Sequence, residues 1–428
     1  MKKLSIVLLI LMVMMAAFAN GAKEQATPSK SISLWTYPIG GWGDDAKVKA
    51  LTDAFTAETG IKVEVQYLTY ADGDDKVNTA IAAKQAPDLI MEGPERLVAN
   101  WGAKGYLVDM ADLLDAGDRA ELNQATLKAC LTADGKLYEY PLVMTAHCMA
   151  INLDAFKAAG ADKYVNLTTR TWTTDDFIKA VDALYKYYKA PVGAVFCGGQ
   201  GGDQGTRVLV NSLYGGTFTD AAHTKYTWDS PENVKALKQL YEMPGIVYDP
   251  AIAGGDEINL FRNGTFKMAF CWNIAQQPLN DQKTDAGEQI VFMSFPAQNG
   301  VAQLNGGIWG FGIFDNGDAE KIEWAKQFVK FMCDGPKTAD AVKTANYFAV
   351  RDVAGGQDIS KIWADDATMN EYNVLMQYLG DYYQVTTGWA TARTCWWNML
   401  QAVGAGNDIA ASVAKFAADA NAAAAAGK

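Results

Sequence analysis

The chain carries only two histidines in 428 residues, His147 and His223. That excludes the common imidazole-rich zinc sites and leaves little basis for a histidine triad. No CxxC pair occurs among Cys130, Cys148, Cys197, Cys271, Cys333 and Cys395, so no dithiol redox centre or zinc ribbon is encoded. Their spacing defines no disulfide framework. Buried free thiols are expected for most, with one or two disulfides left open outside the cytosol. Basic residues are in deficit, 37 Lys and Arg against 49 Asp and Glu, for a net charge of −12. Nucleic acid or an anionic membrane is therefore not the expected partner. No Gly-x-Ser-x-Gly nucleophile motif is present, and the glycine-rich run CGGQGGDQGTR, residues 197–207, lacks the Lys-Ser/Thr of a phosphate loop. Past the N-terminus no run of eighteen apolar residues occurs, and no Pro- or Ser-rich linker or internal repeat stands out. No cofactor and no metal are expected.

Half of the residues are hydrophobic and a fifth charged, which is a globular composition. The length suits two or three domains. Twelve Trp and nineteen Tyr are more than packing requires. At the N-terminus Lys2 and Lys3 precede an apolar run from Leu4 to Phe18 and then small residues. This reads as a secretory signal peptide over residues 1–21, cleaved after Ala19 or Gly21, with no cysteine there for lipid attachment. Residues 22–30 read as a flexible leader. Loss of Lys2 and Lys3 takes the charge from −12 to −14.

Ser31–Trp35 reads as a strand, and a glycine-rich loop with Tyr37 and Trp42 follows. Ala46–Thr59 has helical apolar spacing and ends at Gly60, Ile61–Leu68 alternates as a strand, and Asp75–Lys84 reads as a helix. QAPDLIMEGPERLVANWGAKGYLVDM, residues 85–110, organises the rest. Its apolar run is a buried strand that ends in the turn Glu92-Gly93-Pro94 and feeds a helix. Such a turn lies at the carboxyl edge of a sheet, where open α/β sheets bind ligands. Further strands are expected at 192–196, after the Asn263-Gly264 turn, at 290–296 and at 306–314. Further helices are expected at 172–188, capped by Thr173 or Thr174, and at 232–243, 320–333, 369–379, 391–403 and from 410 onward.

A sugar presents apolar C–H faces and a rim of hydroxyls. Aromatic rings cover the faces, while carboxylates, arginines and amides bond the rim. This chain places both kinds at expected loop ends: Tyr37, Trp42, Glu95, Arg96, Asp203, Gln204, Trp272, Trp309, Trp389 and Arg393. For any one of these aromatics taken alone, core packing is the competing reading. Arg207 is a candidate for an acidic or phosphorylated group. His147 and Cys148 fall in a crossing region and suit a hinge better than catalysis.

In order, LWTYPIGGW, LTDAFTAETGIKVEV, AKQAPDLIM, GYLVDM, GKLYEYPLV, INLDAFKAAG, TWTTDDFIKAVDAL, FKMAFCW and EWAKQFVKFM span nearly all of the mature chain. That order resembles the extracellular sugar-binding proteins of bacterial ABC importers, the group that contains maltose-binding protein. The resemblance implies a two-lobed α/β fold of the periplasmic-binding-protein kind (type II), with a hinge of crossing strands and a ligand cleft between the lobes. It divides the chain into residues 31–142 plus 306–342 for the first lobe and 143–305 plus 343–428 for the second. It aligns Glu95 and Arg96 with a polar sugar-gripping loop and Trp272 with a sugar-stacking tryptophan; Trp389 lies near, but out of register with, another. Residues 197–207 are more glycine-rich than their counterpart and Glu92-Gly93 replaces an aromatic pattern, so maltose is not the expected ligand.

The implied role is carbohydrate capture in the periplasm or outside the cell, by a monomer, and delivery to the membrane permease of an importer driven by a cytosolic ATPase. Two alternatives stand beside it. One is a secreted glycosidase using paired carboxylates from Glu92, Glu95 and Asp203. The other is a binding protein for a phosphorylated polyol.

Overall fold

The computed structural model describes residues 30–70, 72–196, 203–274 and 282–426. The signal peptide, most of the leader, Cys197 and the greater part of the glycine-rich run lie outside the described residues. Among those described, no helix is long and apolar enough to cross a membrane.

Thirteen strands occur among the described residues: β1 (Ser31–Thr36), β2 (Lys62–Tyr67), β3 (Leu89–Glu92), β4 (Tyr140–Ala146), β5 (Cys148–Asn152), β6 (Gly193–Phe196), β7 (Ile246–Asp249), β8 (Met268–Trp272), β9 (Ile290–Met293), β10 (Gly306–Ile313), β11 (Phe348–Ala349), and the short antiparallel pair β12 (Val353–Ala354) and β13 (Gln357–Asp358). The first lobe is a six-stranded sheet in the order β11-β4-β10-β3-β1-β2. β1 pairs in parallel with β2 and β3, as strand–helix–strand units require. β10 is antiparallel to both β3 and β4, and β11 is antiparallel to β4, so the sheet is mixed. In the second lobe β5 lies between β8 and β9, with β6 parallel to β7 beside them.

Local sequence explains much of this. Asp88 accepts hydrogen bonds from the backbone N–H (2.8 Å) and hydroxyl (3.0 Å) of Ser33, which ties the Ala-Pro-Asp-Leu segment to β1. Asp44 caps the helix Asp45–Thr59 by accepting from Lys47 N at 3.2 Å, and Thr173 caps Thr174–Tyr188 by accepting from Asp176 N at 3.1 Å. Glycines in β10 permit close approach of strands: a Cβ on Gly310 would sit 2.1 Å from Tyr140 O. The expected helix after Pro94 is only one turn, Pro94–Arg96, followed by wider turns over Leu97–Gly102 with i→i+5 bonds such as Ala103 N to Val98 O.

The backbone crosses between lobes at three places that bond side by side. His147, between β4 and β5, donates its N–H to Asn305 O at 2.9 Å. Leu304 N donates to Tyr378 O (2.7 Å) and Gly380 N to Leu304 O (2.8 Å). Gln384 Nε2 donates to Asn305 Oδ1 at 2.8 Å. His147 thus sits at these crossings. Beyond residue 342 the chain stays against the first sheet: the helix Thr338–Ala345 packs on β4, β11 pairs with β4, Arg351 pairs with Asp334 and Gly355 N donates to Asp334 O. β4 likewise stays in the first sheet to Ala146, past the anticipated boundary at 142. Cys130, Cys148, Cys271, Cys333 and Cys395 are buried and free.

Candidate functional site

The first-lobe wall is built on the end of β3. Gly93 precedes Pro94, whose fixed φ suits the first helical position. A Cβ on Gly93 would meet Glu95 Oε2 at 2.6 Å and Ile308 O at 2.8 Å, so glycine is needed there. The turn aims Arg96 inward. Its Nε donates to Asp74 Oδ1 and its Nη1 to Glu92 Oε1, both at 2.7 Å, and Glu95 Oε1 lies 3.5 Å away. The guanidinium faces the rings of Tyr37 and Tyr70 at 5.1 and 5.8 Å. Three carboxylates therefore share one buried cation. A fourth, Glu139, is fully buried nearby, beside the Cys130 thiol.

Burial pushes the Glu92 carboxyl up to about 8; Arg96 opposes this, and Glu95 and Asp74 reinforce it. Burial likewise holds Glu139 well above the usual carboxylate range. Between an unfolded value near 4.5 and a folded value about 8, the folded state binds the extra proton. Unfolding free energy should therefore fall as pH rises through that window, with Glu139 and Glu257 acting in the same direction. Glu92→Gln should flatten the decline in urea titrations run from pH 5 to 8. Stability that rises across this range would contradict the assignment.

The second-lobe wall centres on Asp203, the first residue of the helix Asp203–Tyr214. Its carboxylate accepts from Arg393 Nε and Nη2, both at 2.7 Å, and pairs with Arg207 Nη1. Burial alone would raise this carboxyl, but Arg393 and Arg207 outweigh it and hold it well below the usual range. Arg207 is fully buried, donates Nε to Tyr383 OH at 3.3 Å, and lies against the rings of Trp389 (4.9 Å) and Phe218 (5.4 Å). It is a structural brace, not the ligand-directed group anticipated. Burial and the Arg207 charge bring His147 down to about 4, so it is neutral at pH 7.

The two walls enclose a cavity of about 220 Å³, lined by Asp74, Glu95, Arg96, Asn100 and Lys104 on one side and by Thr387, Trp389 and Arg393 on the other. Four of the ten anticipated residues meet here: Glu95, Arg96, Trp389 and Arg393. Asp203 stands directly behind Arg393, and Tyr37 behind Arg96, where its hydroxyl donates to Asp74 at 2.5 Å. Tyr382 OH donates to Glu95 Oε2 at 2.7 Å and closes the back.

The remaining four do not line this cavity. Trp42 is fully buried, edge-on to Phe311 and bonded to Ala341 O at 3.2 Å, so it packs the first-lobe core. Trp272 is 1 % exposed and edge-on to Phe261. Trp309 stacks on Tyr347 at 4.8 Å, and half-buried Gln204 is not in the cavity wall. Asp74, Asn100 and Lys104 also line the cavity, and nothing local in the sequence distinguishes them from ordinary helix and loop residues. A larger cavity of about 560 Å³ lies against the crossings, lined by residues such as Asn211, Gln303, Asn305 and Tyr383, and contains none of the ten. Among the described residues no group of three His, Cys, Asp or Glu is arranged to hold a metal.

Residues 50–371 match the family model of bacterial extracellular solute-binding proteins. The chain belongs to that family. Its members bind solutes and are not enzymes, and they work outside the cytoplasm. No curated protein sequence matches significantly. Solved structures share the two-lobed fold. A substrate-binding protein of an ABC transporter from Listeria monocytogenes, in complex with cycloalternan, is 20% identical with a TM-score of 0.72, covering 92% of this chain and 98% of that one. A solute-binding protein from Thermotoga lettingae bound to α-D-tagatose is 17% identical with a TM-score of 0.72, covering 92% and 100%. One from Agrobacterium radiobacter in complex with ribitol is 20% identical with a TM-score of 0.68, covering 92% and 98%.

Proposed function

We propose that this solute-binding protein captures a carbohydrate or polyol and delivers it to the permease of an ABC importer powered by a cytosolic ATPase. It works as a monomer in the periplasm or outside the cell, after cleavage of residues 1–21. Residues 31–146, together with the chain from Gly306 through at least Gly355, form the first lobe: Val350 accepts from Asn123 N, Arg351 pairs with Asp118 and Asp334, and Gly355 N donates to Asp334 O. The observation that carries the reading is the cavity between the walls, where Trp389 offers an aromatic surface and Asp74, Glu95, Arg96 and Arg393 surround it with hydrogen-bonding groups. At about 220 Å³ it suits a single sugar ring or a short linear polyol rather than an oligosaccharide. The complexes of similar proteins with tagatose and ribitol agree with that size.

A glycosidase reading finds no support, since Glu92 and Glu95 both lie against Arg96 and Asp203 is held by two arginines. The test is a thermal-shift screen of neutral sugars, polyols and their acidic derivatives, paired with a turnover assay. Ligand bound only to the folded state raises the melting temperature, by about 2.7 kcal/mol of added stability at one hundred times Kd. A shift without turnover is expected. Turnover would favour an enzyme, and no shift with any sugar or polyol would sink the carbohydrate reading. Bound ligand should also draw the lobes together and lower the radius of gyration in solution scattering. An unchanged radius at saturation would contradict hinge closure.

A further inference from the structure

Three features of the cavity concern negative charge. The helix Trp389–Gly404 runs for 16 residues and begins in the cavity wall, where Thr387, Gly388, Trp389 and Ala390 all line the space. Its N-terminal residue, Gly388, supplies no side-chain cap, and its first turn holds no acidic residue. The positive end of a long helix therefore faces the cavity with free backbone N–H groups. The second feature is Trp389 itself, which is 6 % exposed and keeps a buried indole N–H with no partner among the described residues. The third is the balance of the cations. Arg96 is saturated by carboxylates, whereas on the opposite wall Arg207 and Arg393 share the single carboxylate of Asp203. Arg393 uses Nε and Nη2 on Asp203, which leaves Nη1 for the cavity. Lys104 reaches the same space from the first lobe and forms no ion pair among the described residues.

We propose that the ligand is a sugar or polyol carrying one anionic group, a carboxylate or a phosphate. The anion sits at the start of the helix Trp389–Gly404, between Arg393 and Lys104. Asp74 and Glu95, also in the wall, accept hydrogen bonds from the hydroxyls at the other end, and Trp389 donates its indole N–H. Helix N–H groups, a guanidinium and an ammonium around one pocket are the recurring elements of anion recognition. The polarity of the cavity then orients the ligand, acidic end toward the second lobe. Lys104 crosses to the anion from the first lobe, so an acidic ligand links the two. The inference rests on the carbohydrate reading and narrows it.

The experiment is calorimetry at pH 7 on the full mature chain with matched series: glucose, glucose 6-phosphate and glucuronate; galactose, galactose 6-phosphate and galacturonate; ribitol and ribitol 5-phosphate; glycerol and glycerol 3-phosphate. In at least one series an anionic member should bind about tenfold or more tighter than its neutral parent, with the margin shrinking as salt rises. The uronate and phosphate arms identify which anion is preferred. Lys104→Ala should reduce the anionic margin several-fold, and Lys104→Arg should keep it. A neutral parent that binds as tightly as its acidic counterparts would overturn the inference and leave the carbohydrate reading intact. An anionic preference undiminished in Lys104→Ala would overturn the assigned position of the anion. No binding in any series would remove both readings.

Discussion

Asp203→Ala should destabilise the protein by about 3–5 kcal/mol, measured by urea denaturation at pH 7. The carboxylate is fully buried and holds two guanidiniums, one of which, Arg207, is itself completely buried. Its removal leaves Arg207 charged, desolvated and bonded only to Tyr383 among the described residues. A buried arginine cannot shed its proton to escape this, as a lysine can. Asp203→Asn should recover a small part of the loss, since its one amide oxygen can still accept a hydrogen bond from Arg393, but neither the second bond nor the charge is kept. The effect should reach ligand binding too, since Arg393 would lose the carboxylate that fixes its direction in the cavity wall. A loss below about 1 kcal/mol would mean that the cluster is open to water and behaves as a surface ion pair.

Trp272→Ala should cost about 3–5 kcal/mol of stability, because it empties a large fully packed site. The family resemblance makes this residue a sugar-stacking platform, for which truncation would weaken binding and spare the fold. The structure puts it at the end of β8 with its ring edge-on to Phe261, and outside the lining of the cavity between the walls. Trp389→Ala is the informative comparison. Trp389 lines the cavity, so its truncation should weaken ligand binding as well as loosen the contact with Arg207. If Trp272→Ala leaves the urea midpoint unchanged and lowers affinity instead, the stacking assignment is right and the packing one wrong. Arg96 is no cleaner a probe of binding: with Asp74, Glu92 and Glu95 around it, Arg96→Ala would unbalance the first-lobe wall before any ligand is added.

The amino-acid sequence by itself determined the class of fold, the exported character and the turn after β3 that forms one wall of the cavity. These rest on local rules. Apolar period marked the helix Ala319–Cys333, alternation marked β2, Thr173 announced a cap, and Pro-Asp before Leu-Ile-Met followed by Gly-Pro announced a buried strand and its turn. The tertiary structure alone decided which aromatic rings line the cavity between the walls. Trp42, Trp272 and Trp389 all stand at element ends, but only contacts with Phe311 and Phe261, hundreds of residues or one helix away, bury the first two in cores. It also decided which arginine is free to act: Arg207 and Arg393 approach the same Asp203, and only the ring stack on Arg207 makes it a brace. Lys104 and Asp74 became visible in the same way, because a cavity between lobes is made by side chains distant in sequence. No period, cap or turn records which residues the hinge will bring face to face.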